Sequence, residues 1–151
     1  NRDWADLSQP ESRAIKRLLE NITENGEKLA LIVDMHNGWG SRDRNGENIV
    51  AYKEEAVGAE YSKWQVDFIK LINERCDYTK PNSIWWSIPK EGLFGNFAYS
   101  NYGKNGTLCT VFEFSRFNIW DREKNGYVHL TQDRLKKLAP QLLGVINDFF
   151  V

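Results

Sequence analysis

Histidine and cysteine are scarce in this chain, with two of each in 151 residues. His36 and His129 alone exclude a three-histidine metal site within one copy. Cys76 and Cys109 lie far apart in sequence, without the spacing of a metal knuckle or a redox pair, and read as small apolar side chains. Neither sign of charge is in excess. The formal net charge of -1 gives no argument for binding nucleic acid or an anionic membrane surface. No apolar run approaches the ~20 residues that a membrane span needs. There is no repeat, low-complexity tract or internal linker. The length suits one domain with a full core and is short for two.

Against that background one apolar run stands out. Leu29-Ala30-Leu31-Ile32-Val33-Asp34-Met35-His36 ends abruptly in a histidine, followed by the glycine-bearing Asn37-Gly38-Trp39-Gly40. A continuous run of this length predicts a strand buried on both faces. In α/β sheets, ligands collect in the crevice beyond the carboxyl ends of the strands, so His36 is a candidate ligand or proton carrier. Asp34 falls on the same side of the strand and is placed to orient the ring.

The remaining pattern is α/β. Ser8-Gln9-Pro10-Glu11 has the form of a capping box with Ser8 as N-cap. Ile15, Leu18, Leu19 and Ile22 follow at helical spacing, and Asn25-Gly26 stops the helix. Residues 37 to about 53 read as a long polar loop. A second helix is expected from Glu54 to Arg75, with Val57, Tyr61, Trp64, Phe68, Leu71 and Ile72 as its stripe. Thr79 to Tyr102 reads as irregular apart from a short strand at Ile84–Ile88. Thr107 to Phe114 forms a second buried strand. Thr131 then caps a last helix reaching Phe150, where Pro140 predicts a kink or break. Helix, strand, helix, strands, helix is an α/β order.

Glu113 interrupts the second buried strand near its carboxyl end. Burying a carboxylate there costs several kcal/mol unless it is paired or protonated. Burial also raises its pKa toward the range of a general base. An ion pair with Arg116 is the structural alternative. If the two strands are parallel neighbours, His36 and Glu113 face one crevice, as a metal ligand and a general base require. Asn1-Arg2 sets a guanidinium fork beside an amide, which suits bidentate capture of a carboxylate. The six tryptophans include the pair Trp85-Trp86, read chiefly as core and groove packing.

Asn-Arg with an aromatic two residues on, a Ser-x-Pro-Glu helix start, a buried strand ending in His and a later Phe-Glu-Phe strand occur here in one order. This set resembles the C-terminal half of the zinc carboxypeptidases, the carboxypeptidase A-like family, over essentially the whole chain. The resemblance implies a three-layer α/β/α fold with a mixed, largely parallel sheet. It implies that Asn1 and Arg2 grip a substrate's terminal carboxylate, that His36 is the third zinc ligand and that Glu113 activates water. Gly95-Asn96-Phe97-Ala98-Tyr99 is similar to the segment lining the specificity pocket, which would set Asn96, Phe97 and Tyr99 against the substrate. Two departures stand out. The family's His-x-x-Glu zinc motif is absent, since His129 is followed by Leu130, Thr131 and Gln132. The family's mobile tyrosine has no counterpart in the expected position, although Tyr99 and Tyr102 are available.

The implied function is zinc-dependent hydrolysis of a C-terminal peptide or related amide bond by a longer chain that supplies the missing motif. The 151 residues alone are then expected to be inactive and to bind zinc weakly or not at all. The opening on Asn1, without an initiator methionine, is read as a processed or partial chain. Alternatives are a metal-free binding module on the same scaffold, a zinc deacylase or amidase, and a carbohydrate-binding module using Trp39, Trp85 and Trp86. No nucleic-acid or membrane partner is expected. The compartment is open, with a secreted or periplasmic setting favoured. A sheet with an unpaired edge makes self-association an expectation.

Overall fold

The computed structural model describes residues 3–38, 48–115 and 117–150. In order they form α1 (Pro10–Glu24), β1 (Leu31–Gly38), β2 (Asn48–Tyr52), α2 (Glu54–Val57), α3 (Ala59–Arg75), β3 (Trp85–Ser87) and α4 (Phe94–Asn101). A 3-10 turn (Gly103–Asn105), β4 (Leu108–Ser115), β5 (Asn118–Asp121), β6 (Gly126–His129) and α5 (Gln132–Phe150) complete the chain. The main sheet runs β1-β4-β2-β3, and β5-β6 is a separate hairpin. β2 is parallel to β3 and antiparallel to β4. The α/β class and the mixed sheet agree with the expectation from sequence.

The chain divides into two compact units, Asn1–Asp34 with Ile88–Thr110 and Met35–Ser87 with Val111–Val151. In the first, Trp4, Leu19, Ile32, Phe97, Ala98 and Cys109 form the core. The Trp4 ring lies 4.6 Å from Phe94 and 4.9 Å from Phe97 between centroids. The start of α1 differs from the expected capping box. Gln9 is the N-cap and makes no side-chain cap bond. Instead the Asp3 carboxylate accepts the Gln9 N–H at 2.8 Å, the Ser8 N–H at 3.0 Å and the Ser8 hydroxyl. Those bonds, the Ser8 hydroxyl foremost, hold the Asp3 carboxyl down at about 2.

In the second unit α3 packs Phe68, Ile69 and Ile72 inward. It also buries Ser62 and Gln65, which take up both backbone groups of Tyr52 at the end of β2. The Tyr52 N–H donates to Gln65 Oε1 and the Ser62 hydroxyl donates to the Tyr52 carbonyl, each at 2.8 Å. Phe68 meets Phe149 of α5 at 5.0 Å between centroids. The Arg122 guanidinium closes the end of α3, donating to the carbonyls of Asn73, Glu74 and Cys76. Burial pushes the adjacent Cys76 thiol up to about 11, which makes it unreactive.

Several expectations are corrected. Residues 48–52, read as loop, form β2, and Ile49, Val50, Ala51 and Tyr52 are all buried. The helix expected over Glu54–Arg75 is two helices, parted at Gly58, whose φ of 86° is open to glycine at no steric cost. The stretch 94–101, read as irregular, is α4, and the loop after β4 contains the β5-β6 hairpin. α5 runs through Pro140 without a break. β1 lies at a sheet edge and Ile32 is its buried residue, while Met35 is 62% exposed. Trp85 and Trp86, expected in packing, are exposed on the opposite edge strand, β3.

Candidate functional site

The site follows from how β1 and β4 pair. They are neighbours in the sheet, and the N–H of Leu108, the first residue of β4, donates to the carbonyl of Ala30 just before β1 at 2.9 Å. Two strands whose beginnings touch run the same way. In a parallel ladder a residue's N–H reaches the carbonyl one place before its partner, so Leu108 stands beside Leu31. Both strands have eight residues, and the offset that matches their first residues also matches their last, Gly38 and Ser115. Carried along both strands without a bulge, the same offset counts His36 opposite Glu113. Paired residues of adjacent strands share a face, about 4.8 Å apart in the hydrogen-bonding direction.

On its other side Glu113 is paired in register with Asn48 of β2. One row across three strands therefore reads His36, Glu113, Asn48. It lies at the carboxyl ends of β1 and β4, within the second unit. Reading by segments placed Asn48 in a loop and missed it. Glu113 is half-buried rather than buried, as is His36. No side chain among the described residues is paired with the Glu113 carboxylate. Arg116, its expected alternative partner, lies outside the described residues.

The other candidates divide differently. Asn1, Arg2 and Trp39 lie outside the described residues. Asn96, Phe97 and Tyr99 are on α4, in the first unit. Phe97 is buried against Trp4, with Phe94 and Tyr102 each 6.3 Å away between centroids. Tyr99 is also buried, and the Lys104 ammonium lies 6.0 Å from its ring. Asn96 is half-buried. Burial pushes the Tyr102 phenol above its ordinary value.

A metal must be tested against this donor set. A catalytic zinc normally holds three protein ligands. Among the described residues no group of three His, Cys, Asp or Glu side chains could hold a metal ion. His36 by itself offers one nitrogen, so the described residues do not make a zinc site on their own.

No protein-family model matches the chain, and no curated protein matches it. Among solved structures the chain is similar to the metallo-carboxypeptidase from Burkholderia cenocepacia, with a TM-score of 0.65 and 14% identity. The match takes in 99% of this chain and spans 38% of that one. At that identity the likeness establishes a carboxypeptidase-like fold. No helix of the described residues is long and apolar enough to cross a membrane.

Proposed function

We propose that these residues form part of a metal-dependent hydrolase acting on a C-terminal peptide or related amide bond. The observation that carries the reading is the row at the sheet end. Counted from the Leu108–Ala30 bond, a carboxylate and an imidazole distant in sequence fall at one register position, in a fold similar to that of a metallo-carboxypeptidase. Glu113 is the general base: it takes a proton from the attacking water and delivers it to the leaving amine. His36 is one metal ligand, and the others come from residues beyond those described. The resemblance assigns Arg2, with Asn1, to the substrate's terminal carboxylate through a fork of two N–H bonds, and Asn96 to the substrate's last side chain. The metal is zinc by the chemistry of the resemblance.

The test begins with the coding sequence upstream of Asn1, searched for His-x-x-Glu, and continues with the extended polypeptide. Zinc-loaded, that polypeptide should hydrolyse blocked dipeptides bearing a free terminal carboxylate. Glu113→Gln should lower kcat by about 10²–10⁴-fold, the usual worth of a general base. Unchanged turnover in Glu113→Gln would overturn the assignment. Arg2→Ala should abolish action on such peptides; if it spares another amide, the enzyme is an amidase or deacylase. That no three His, Cys, Asp or Glu side chains are grouped to hold a metal ion among the described residues favours one second reading, a metal-free binding scaffold. An upstream region without the motif, and no zinc in the purified protein, would select it.

A further inference from the structure

We propose that Phe117 determines specificity at this site, its ring taking an aromatic or large aliphatic side chain of the substrate on the acyl side of the scissile bond. The inference rests on the reading of the Glu113 end of the sheet as the substrate site, and it names the class of substrate which that site prefers. Phe117 lies between β4 and β5, two residues beyond Ser115, and belongs with Glu113 to the second unit. Ligands of α/β sheets collect beyond the carboxyl ends of the strands, and connectivity puts Phe117 just past that end of β4. Four residues separate it from Glu113, so their Cα atoms are at most about 14 Å apart, within the span of a short peptide.

The backbone of Phe117 is held on both sides. Its N–H donates to Ser115 Oγ at 3.2 Å, and its carbonyl accepts the Leu130 N–H at 2.8 Å. The same serine oxygen takes the Asn118 N–H at 3.3 Å, and Ser115 is 5% exposed, so the turn hangs from a buried anchor. Two residues further on, Ile119 is 2% exposed. Between these two anchors Phe117 is 46% exposed. An aromatic carried on fixed backbone offers an apolar surface that costs little further ordering when a ligand meets it. Turn chemistry draws on Gly, Pro, Asn, Asp and Ser, and Ser115 supplies it here, so the turn does not call for a phenyl. The choice of substrate group follows from what the proposed site already assigns. The terminal carboxylate goes to Arg2, the last side chain to the segment around Asn96 and the scissile bond to Glu113. The side chain before that bond is the one left, and an exposed phenyl suits an apolar one.

The experiment is calorimetric binding to the extended polypeptide carrying Glu113→Gln, so that ligand is held without turnover. The probes are acetyl-Phe-Phe and acetyl-Gly-Phe, blocked dipeptides with a free terminal carboxylate that differ only in the residue before the scissile bond. Acetyl-Phe-Phe should bind about 2–10-fold more tightly, the usual worth of an aromatic pair. Adding Phe117→Ala should bring the two Kd values together by weakening acetyl-Phe-Phe alone, and Phe117→Leu, which stays apolar, should keep part of the gap. Equal affinities before that change, no binding of either peptide, or the same gap after it would each overturn the proposal. A general loss of structure would weaken both peptides alike and leave the gap, so it counts against the proposal as well. Turnover does not enter, so the result stands apart from the fate of the hydrolase reading, which the kcat of Glu113→Gln decides.

Discussion

β1 and β2 flank the same strand, β4, and each has the character that the other's sequence announces. β1 carries an apolar run that reads as buried on both faces, yet Met35 is 62% exposed and, among its described side chains, only Ile32 is buried. β2 comes out of a polar stretch, yet Ile49, Val50, Ala51 and Tyr52 have exposures of 1%, 5%, 0% and 3%. The difference is position: β2 lies between β4 and β3, and β1 is at the edge. Apolar content says that a segment can be buried, and sheet order says whether it is. The candidate site takes one residue from each strand and one from β4, so it joins the exposed edge to the buried centre.

The sharpest way to break that contrast is to remove core from the centre. Phe112 of β4 is 2% exposed, and its ring stacks on Phe68 at 6.4 Å between centroids. Phe112→Ala should cost about 3–5 kcal/mol by chemical denaturation. Next comes the polar tie between β2 and α3. Gln65→Leu keeps the volume but leaves the buried Tyr52 N–H without its acceptor, and should cost about 1–3 kcal/mol. At the edge, Met35→Gln should change stability by less than about 0.5 kcal/mol, as exposed positions do. A loss as large as that at Phe112 would show that β1 is covered in solution.

The smallest effect concerns the start of α1. Asp3 is held down at about 2 against an ordinary value of 3.8. A depressed carboxyl contributes its stability fully above the unfolded value and loses it as pH falls through the folded one. The gap in urea midpoint between wild type and Asp3→Asn should therefore be present at about pH 5 and shrink to nothing near pH 2. A gap independent of pH would mean that the Asp3 bonds do not form in solution.

Local pattern made much of this legible. Ile15 to Ile22 marked α1, the run to His36 marked β1, and Thr107 to Phe114 marked β4, because 3.6-residue and two-residue periods are written within a few consecutive side chains. Residues 48–52 escaped, since five residues after a polar stretch carry too little periodicity to separate strand from loop. Phe97 illustrates a different limit. Its segment resembles one that lines a specificity pocket, but whether an aromatic faces a ligand or its own core depends on what packs beside it, here Trp4 and Phe94.

From the sequence alone came the α/β class, the amphipathic helices and two polar residues, His36 and Glu113, at the ends of apolar strands. The pairing of β1 with β4, the place of Asn48 opposite Glu113 and the half-burial of most of β1 came only from the tertiary structure. The physical reason is the range of the interactions. A strand's own character depends on neighbours two residues away, whereas the register that sets His36 beside Glu113 is a hydrogen-bond ladder between segments far apart in the chain, fixed by what the whole sheet can bury.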